Sequence, residues 1–137
     1  MDLETTMENE MQDPYAGEAR ERWGHTDAYK ESARRTKRYK PDDWAKIKAE
    51  GEAVEAALAA LLRAGEPADG VQAMDQAERA RLHIDRWFYP CSHRMHVGLA
   101  DMYTADARFT AHYEERAPGL AAFVATAIRA NARRAQP

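Results

Sequence analysis

Apolar residues along the chain recur three or four positions apart, and no stretch alternates apolar and polar residues as a strand would. The clearest stripe lies between Pro41 and Gly65, with Gly51 in its gap. Its members are Trp44, Ile47, Val54, Leu58, Leu61 and Leu62. A second clear stripe begins at Pro118 and consists of Leu120, Phe123, Val124, Ala127 and Ile128. The pattern predicts an all-α protein, without specifying which helical fold.

Capping residues, prolines and glycines divide the chain into seven predicted helices. Their predicted caps or first residues are Asp13, Thr26, Pro41, Asp69, Ser92, Asp106 and Pro118. The first four are predicted to end at Gly24, near Arg38, at Gly65 and before Pro90, and the sixth at Arg116. No repeat of solenoid period is present.

The apolar content is uneven along the 137 residues, which suffice for one domain. Residues 1–12 are nearly devoid of large apolar groups and are predicted to form a flexible tail. Residues 13–137 are predicted to form one domain, in which 41–137 supply the core. Residues 13–40 are charged and carry few large apolar groups, so we expect a weakly held flap. The aromatic residues on this flap suggest a lid over a ligand, although the residues alone slightly favour the alternative, an ordinary pair of edge helices.

Composition narrows the class of protein. The net charge of −3 gives no reason to expect nucleic acid as a partner. One cluster of basic residues could contact nucleic acid or an acidic partner, but a solvent-exposed helix face explains it better. The cluster comprises Lys30, Arg34, Arg35, Lys37, Arg38 and Lys40. The single cysteine, Cys91, excludes an internal disulfide. The first residues of the chain are acidic and polar, whereas a signal peptide begins with basic residues and turns apolar. The longest apolar stretch, 119–128, has about half of the residues that a membrane-spanning helix needs. We therefore expect a soluble, cytoplasmic monomer without a membrane partner.

Residues 87–96, WFYPCSHRMH, hold the densest set of reactive side chains. Cys91, His93 and His96 match no zinc spacing well, so no metal site is predicted. A nucleophilic Cys91 would need an oriented base and an oxyanion site, and the sequence shows neither. Phosphate-binding and hydrolase motifs are absent as well. The residues therefore predict a binding protein with no catalytic residues and no cofactor.

Several short segments resemble the TipAS antibiotic-recognition domain in order and spacing, over roughly residues 14–134. They are 22–32 (RWGHTDAYKES), 65–69 (GEPAD), 89–96 (YPCSHRMH), 101–103 (DMY), 108–110 (RFT) and 117–123 (APGLAAF). The resemblance implies a globin-like helical core without haem, a deep cleft, and an N-terminal segment that folds over the bound drug. The implied ligands are thiopeptide antibiotics such as thiostrepton or nosiheptide, or other bulky apolar drugs.

Flat, sulfur-rich macrocycles suit aromatic and methionine side chains, which stack and make soft sulfur contacts. The predicted ligand-binding residues are Trp23 and Tyr29 in the lid, and Trp87, Tyr89, Cys91, Met95, His96, Leu99 and Tyr103 in the core. Packing in the core is the alternative role for each of them.

The resemblance also bears on covalent chemistry. The best-known member of the family carries a first cysteine that matches Cys91, and a second, drug-bonding cysteine whose position holds Gly98 here. Capture is therefore expected to be non-covalent.

Three other functions stay open. In the family, the domain usually follows a MerR-type winged helix and a coiled coil that activate transcription of drug-response genes. We expect the free-standing, drug-sequestering form, and a ligand-sensing fragment of such a regulator is the first alternative. A haem protein with His83 or His96 as axial ligand is the second. Hydrolysis with Cys91 as the nucleophile is the weakest of these alternatives.

Overall fold

The computed structural model describes residues 26–136, and these form six α-helices without a β-strand. The helices are α1 (Asp27–Thr36), α2 (Pro41–Arg63), α3 (Val71–Trp87), α4 (His93–Ala105), α5 (Ala107–Arg116) and α6 (Leu120–Arg134). The all-α prediction is confirmed. The predicted tail and the predicted helix at 13–24 lie outside the described residues.

Two predicted helix caps, Thr26 and Ser92, are confirmed, and Asp106, predicted as the first residue of its helix, is the N-cap instead. The Thr26 hydroxyl accepts the N–H of Tyr29 at 3.2 Å at the start of α1. The Ser92 hydroxyl accepts the N–H of Met95 at 3.1 Å at the start of α4. The Asp106 carboxylate accepts the N–H of Arg108 at 3.0 Å and so caps α5. Each satisfies a backbone N–H that the first helical turn leaves without a partner.

Two predicted helix starts are wrong. Helix α3 begins at Val71 with Gly70, not Asp69, as its N-cap, because residues 67–70 form a turn in which the Gly70 N–H donates to the Pro67 carbonyl at 3.1 Å. Helix α6 begins at Leu120, two residues after Pro118. There the Glu114 carboxylate accepts the N–H groups of Gly119 and Ala121 at 3.0 and 3.1 Å, and so caps α6 from the preceding helix.

Helix α6 lies at the centre of the core and packs against α2, α3, α4 and α5. Its predicted inner face is confirmed, because Leu120, Phe123, Val124, Ala127 and Ile128 are all buried. Small residues on the neighbouring helices, among them Ala59, Ala73, Ala77 and Ala100, let the helices approach closely. The buried apolar residues that form this core are called the core cluster below, and none of them belongs to α1.

Helix α1 is attached to the rest of the protein near its C-terminal end. The Arg35 guanidinium donates to the Asp85 carbonyl at 2.7 Å, and the Tyr39 hydroxyl donates to the Trp87 carbonyl. Both acceptors belong to the last turn of α3. These bonds hold α1 against the end of α3, and residues of α1 and α2 line the same cleft.

None of the six helices combines the length and the apolar character that crossing a bilayer requires.

Candidate functional site

A cleft of about 1440 Å³ lies between α1, α2 and α4, and the connection between α3 and α4 closes one end. Pockets for drug-sized ligands occupy roughly 300–1,000 Å³. The cleft is therefore large enough for a ligand bigger than an ordinary metabolite or drug.

One wall comes from α1 and α2. Helix α1 presents Tyr29, Ser32, Ala33 and Thr36, which share a face because they lie three or four residues apart. Helix α2 contributes a second set at helical spacing, which comprises Trp44, Ile47, Lys48, Gly51, Glu52 and Glu55. Helix α1 thus directs small and aromatic side chains at the cleft.

The facing wall is one side of α4. Met95, Gly98, Leu99 and Met102 lie at positions i, i+3, i+4 and i+7 and all line the cleft. Met95 is 38% exposed, which is high for a large apolar residue. Thioethers are polarizable and adapt to irregular apolar and aromatic surfaces. This wall suits a ligand with flat, apolar faces.

Aromatic side chains form the closed end. Trp44 and Phe88 line the cleft with ring centroids 6.4 Å apart. Behind them Trp87 is buried, its indole N–H donates to Glu50 Oε1 at 2.7 Å, and its ring meets that of Tyr39 edge-on at 5.5 Å. Trp87 therefore supports the aromatic end of the cleft from the core side.

Charged side chains of both signs lie on the lining of the cleft. Glu55 Oε1 lies 2.9 Å from His112 Nε2 and 3.6 Å from the Arg116 guanidinium. Lys48 and Arg94 also line the cleft, as does Glu52. The charges are balanced, so the lining does not select an anionic or a cationic ligand by net charge.

The structure brings some of the predicted ligand-binding residues together and not others. Four line the cleft, namely Tyr29, Tyr89, Met95 and Leu99. Four more are described but lie off its lining, namely Trp87, Cys91, His96 and Tyr103. Trp23 lies outside the described residues.

Cys91 is packed into the protein interior. It is 1% exposed, and its backbone N–H donates to Asp85 Oδ1 at 2.8 Å. Burial raises the pKa of its thiol to about 11, although the nearby Arg81 charge opposes the shift. The thiol is therefore protonated at neutral pH and inaccessible to a ligand in the cleft.

His96 and Tyr103 occupy the side of α4 that faces away from the cleft. His96 is 1% exposed, and burial lowers its pKa to about 4, with the charges of Arg81 and His93 adding to the shift. The Tyr103 ring packs against those of Tyr113 and Phe109 at 5.3 and 5.9 Å. Both side chains belong to the packing between α4 and its neighbours.

Sequence reasoning missed several lining residues, among them Trp44, Phe88, Met102 and His112. Trp44 shares its apolar stripe with Val54 and Leu58, which are buried in the core. Only the arrangement of the helices shows that the first half of this stripe faces the cleft instead.

The chain is similar to proteins of one family over most of its length. The model of the TipAS antibiotic-recognition domain matches residues 15–131. The HTH-type transcriptional activator TipA of Streptomyces coelicolor is 46% identical over 125 residues, which are 91% of this chain and 49% of that protein. The chain thus spans about half the length of the curated relatives it matches.

Two solved structures share the fold. TipAS of Streptomyces lividans in complex with nosiheptide superposes with a TM-score of 0.84 at 46% identity, covering 91% of this chain and 87% of that one. The antibiotic-binding domain of a TipA-class multidrug resistance transcriptional regulator gives 0.63 at 45% identity, covering 69% and 100%. With the match to the family model, these likenesses show that the chain belongs to the TipAS antibiotic-recognition domain family.

Proposed function

We propose that this protein binds a thiopeptide antibiotic of the nosiheptide kind, or a drug of similar bulk, in the cleft between α1, α2 and α4. The large apolar cleft is the observation that carries the proposal, because its aromatic and methionine walls match the flat, sulfur-rich rings of such a macrocycle. The solved nosiheptide complex of TipAS, with its high structural similarity, supports the same ligand class.

Binding is proposed to be reversible and without catalytic turnover. The position of the family's drug-bonding cysteine holds Gly98, which lines the cleft without a side chain. The thiol of Cys91 is buried and protonated, so it is a poor nucleophile toward a drug in the cleft. This placement also speaks against hydrolysis by Cys91.

The lid is part of the proposal. We propose that residues 13–40 close over the drug, with α1 as the described part of this lid. In support, α1 turns a face of small and aromatic residues toward the cleft and lies outside the core cluster. The bonds of Arg35 and Tyr39 to the end of α3 would act as the fixed end of such a movement.

Two roles are compatible with drug binding. A free-standing domain would protect by sequestering one drug molecule per monomer. A domain within a longer activator would report the drug to transcription, and the half-length match to TipA supports that alternative. The haem alternative has less support, because neither His83 nor His96 is among the described residues that line the cleft.

A fluorescence titration with nosiheptide tests the proposal, because Trp44 lies in the cleft. We expect saturable quenching at one drug per chain. Leu99→Asp should raise Kd by about tenfold or more, since it places a charge on an apolar wall. Leu82→Asp is the matched control, because Leu82 is 48% exposed and lies on α3 outside the lining. Absence of quenching in the unaltered protein, or equal losses in both variants, would contradict the proposal.

A further inference from the structure

Glu55 is an acidic residue of the cleft lining whose carboxylate is held in place by α5 (Ala107–Arg116). Its Oε1 lies 2.9 Å from His112 Nε2 and 3.6 Å from Arg116 Nε. The His112 ring also meets the ring of the buried Tyr113 edge-on, with centroids 5.2 Å apart. The carboxylate of an α2 residue therefore lies on the cleft wall at a position that a second helix fixes.

The stability of the fold does not explain this arrangement. The His112 side chain is 58% exposed. An ion pair in contact with water contributes little to the free energy of unfolding, because the solvent screens the charges and both side chains lose conformational freedom. What the contact with His112 does achieve is to hold a carboxylate beside a large cavity.

The Glu55 carboxylate keeps hydrogen-bonding capacity for a ligand. Both contacts with α5 are made by Oε1, and none of the described residues donates a hydrogen bond to Oε2. An ionised carboxylate accepts hydrogen bonds through both oxygens, and a charged acceptor forms stronger bonds than a neutral one. An N–H or O–H group of a ligand in the cleft can therefore bond to Glu55 without displacing His112.

Glu55 lies far from the aromatic end of the cleft. It follows Trp44 on α2 by eleven residues, which is about 16 Å along the helix axis. Trp44 and Phe88 line the closed end, where a flat apolar ring packs best. An elongated ligand with a hydrogen-bond donor at one end therefore fits the cleft better in one direction than in the other.

We infer that Glu55 is a specificity-determining residue, whose carboxylate accepts a hydrogen bond from an amide N–H or hydroxyl group of the bound macrocycle and so sets the direction in which the ligand lies. His112 and Arg116 are positioning residues that hold this carboxylate. The inference rests on the proposed function. It adds that a thiopeptide, which has amide N–H groups because it is a peptide, is selected by a donor at this end of the cleft and by flat rings at the other.

Glu52 supplies a matched control one turn earlier on α2. It also lines the cleft and carries the same charge, but it is exposed and forms no hydrogen bond or ion pair with another described residue. A mobile side chain loses conformational entropy when a ligand fixes it, whereas Glu55 is already held. Removing each carboxylate in turn therefore separates a positioned acceptor from negative charge in general.

Nosiheptide is titrated against Glu55→Ala, Glu55→Gln and Glu52→Ala. We expect Kd to rise about tenfold or more for Glu55→Ala, which loses the acceptor, and less for Glu55→Gln, which keeps a neutral acceptor oxygen. Kd of Glu52→Ala should stay within about twofold of the unaltered protein. The melting midpoint of each free variant should stay within about 4 °C of the unaltered protein, so that a loss of affinity does not come from misfolding.

The methyl NMR signal of Met95 reports the direction of the ligand. Met95 lies near the start of α4, beside the connection that closes the aromatic end, so a substitution at Glu55 leaves its surroundings in the free protein unchanged. At saturating nosiheptide, Glu55→Ala should show a second bound Met95 signal, because the drug then binds in both directions.

If Glu55→Ala raises Kd no more than Glu52→Ala does, or gives the same single bound Met95 signal as the unaltered protein, the inference is overturned while the proposed function stands. If the unaltered protein itself does not bind nosiheptide, the proposed function fails, and the inference with it.

Discussion

The thiol of Cys91 shows how burial decides the chemistry of a single residue. Its pKa is raised chiefly because burial penalises the thiolate, and Asp85 and Glu78 add to the shift. Cys91, which belongs to the family-like segment 89–96, is therefore a buried and protonated side chain. On the cleft wall, position 98 holds glycine, and a Cβ there would project into open space.

The protein is therefore expected to bind nosiheptide without a covalent bond, whereas Gly98→Cys should trap it. A cysteine at position 98 would be exposed on the cleft wall and free to add to a dehydroamino acid of the drug. Mass spectrometry of the denatured complex distinguishes the two cases. A protein–drug adduct in the unaltered protein that disappears in Cys91→Ser would contradict this assignment.

His96 makes folding sensitive to acid. Its pKa in the folded protein is about 4, below the ordinary value of 6.5, so the unfolded chain binds more protons between these values. Above pH 6.5 this histidine leaves the free energy of unfolding unchanged, and as the pH falls toward 4 the free energy of unfolding decreases by a total on the order of 3 kcal/mol. Glu78 and Arg81 stay charged throughout this window, because the pKa of Glu78 is lowered to about 2 and that of Arg81 is raised.

Urea unfolding of the unaltered protein and of His96→Leu, followed between pH 7 and pH 4, checks this prediction. The variant should lose less free energy of unfolding over this range, whatever its stability at pH 7. His93 is kept unchanged in both proteins, so the comparison isolates His96. Identical pH dependence in the two proteins would show that His96 is not the group responsible.

At the scale of secondary-structure elements, α1 and α6 differ most in what they bury. Helix α6 buries residues on nearly every face, whereas α1 buries Thr36 alone among its described residues. Few buried apolar contacts mean a low free energy of local opening.

Amides of α1 are therefore expected to exchange hydrogen quickly in the free protein and slowly with nosiheptide bound. Amides of α6 should be protected in both states, because they open only with the core. Hydrogen exchange read by mass spectrometry on peptides covering 27–36 and 120–134 checks this. If α1 is already as protected as α6 without the drug, the lid proposal fails.

Local chemistry explains which helix boundaries the sequence could predict. Thr26 and Ser92 cap helices within three residues of themselves, so sequence spacing alone reveals them. The α6 cap comes from Glu114 in the preceding helix, and no local signal marks it. Boundaries set by a neighbouring element become visible only when the helices are assembled.

The same limit explains the candidate site. Of the ligand-binding residues predicted on α4, Met95 and Leu99 line the cleft. Spacing could not show that His96 and Tyr103 point the other way, nor that Trp44 faces the cleft. A stripe of apolar residues predicts burial, but the identity of what covers it depends on the whole fold.

At the scale of the whole molecule, a rigid core built around α6 carries a wide apolar cleft on one side. Tight contacts through small residues leave the core with little freedom to close by itself. In the proposed lid, closure over a large ligand comes from α1. This division of roles would let one fold hold bulky drugs of different shapes.

Methyl NMR of ¹³C-methyl-methionine protein during a nosiheptide titration tests the central claim, that the drug binds in this cleft. Met95 and Met102 line the cleft, whereas Met74 lies on α3 away from it and serves as an internal control. Each signal is assigned by a single substitution to leucine. The account predicts large shifts of the Met95 and Met102 methyl signals that saturate at one equivalent of drug, with Met74 nearly unchanged. Unshifted Met95 and Met102 signals at saturating drug would contradict it.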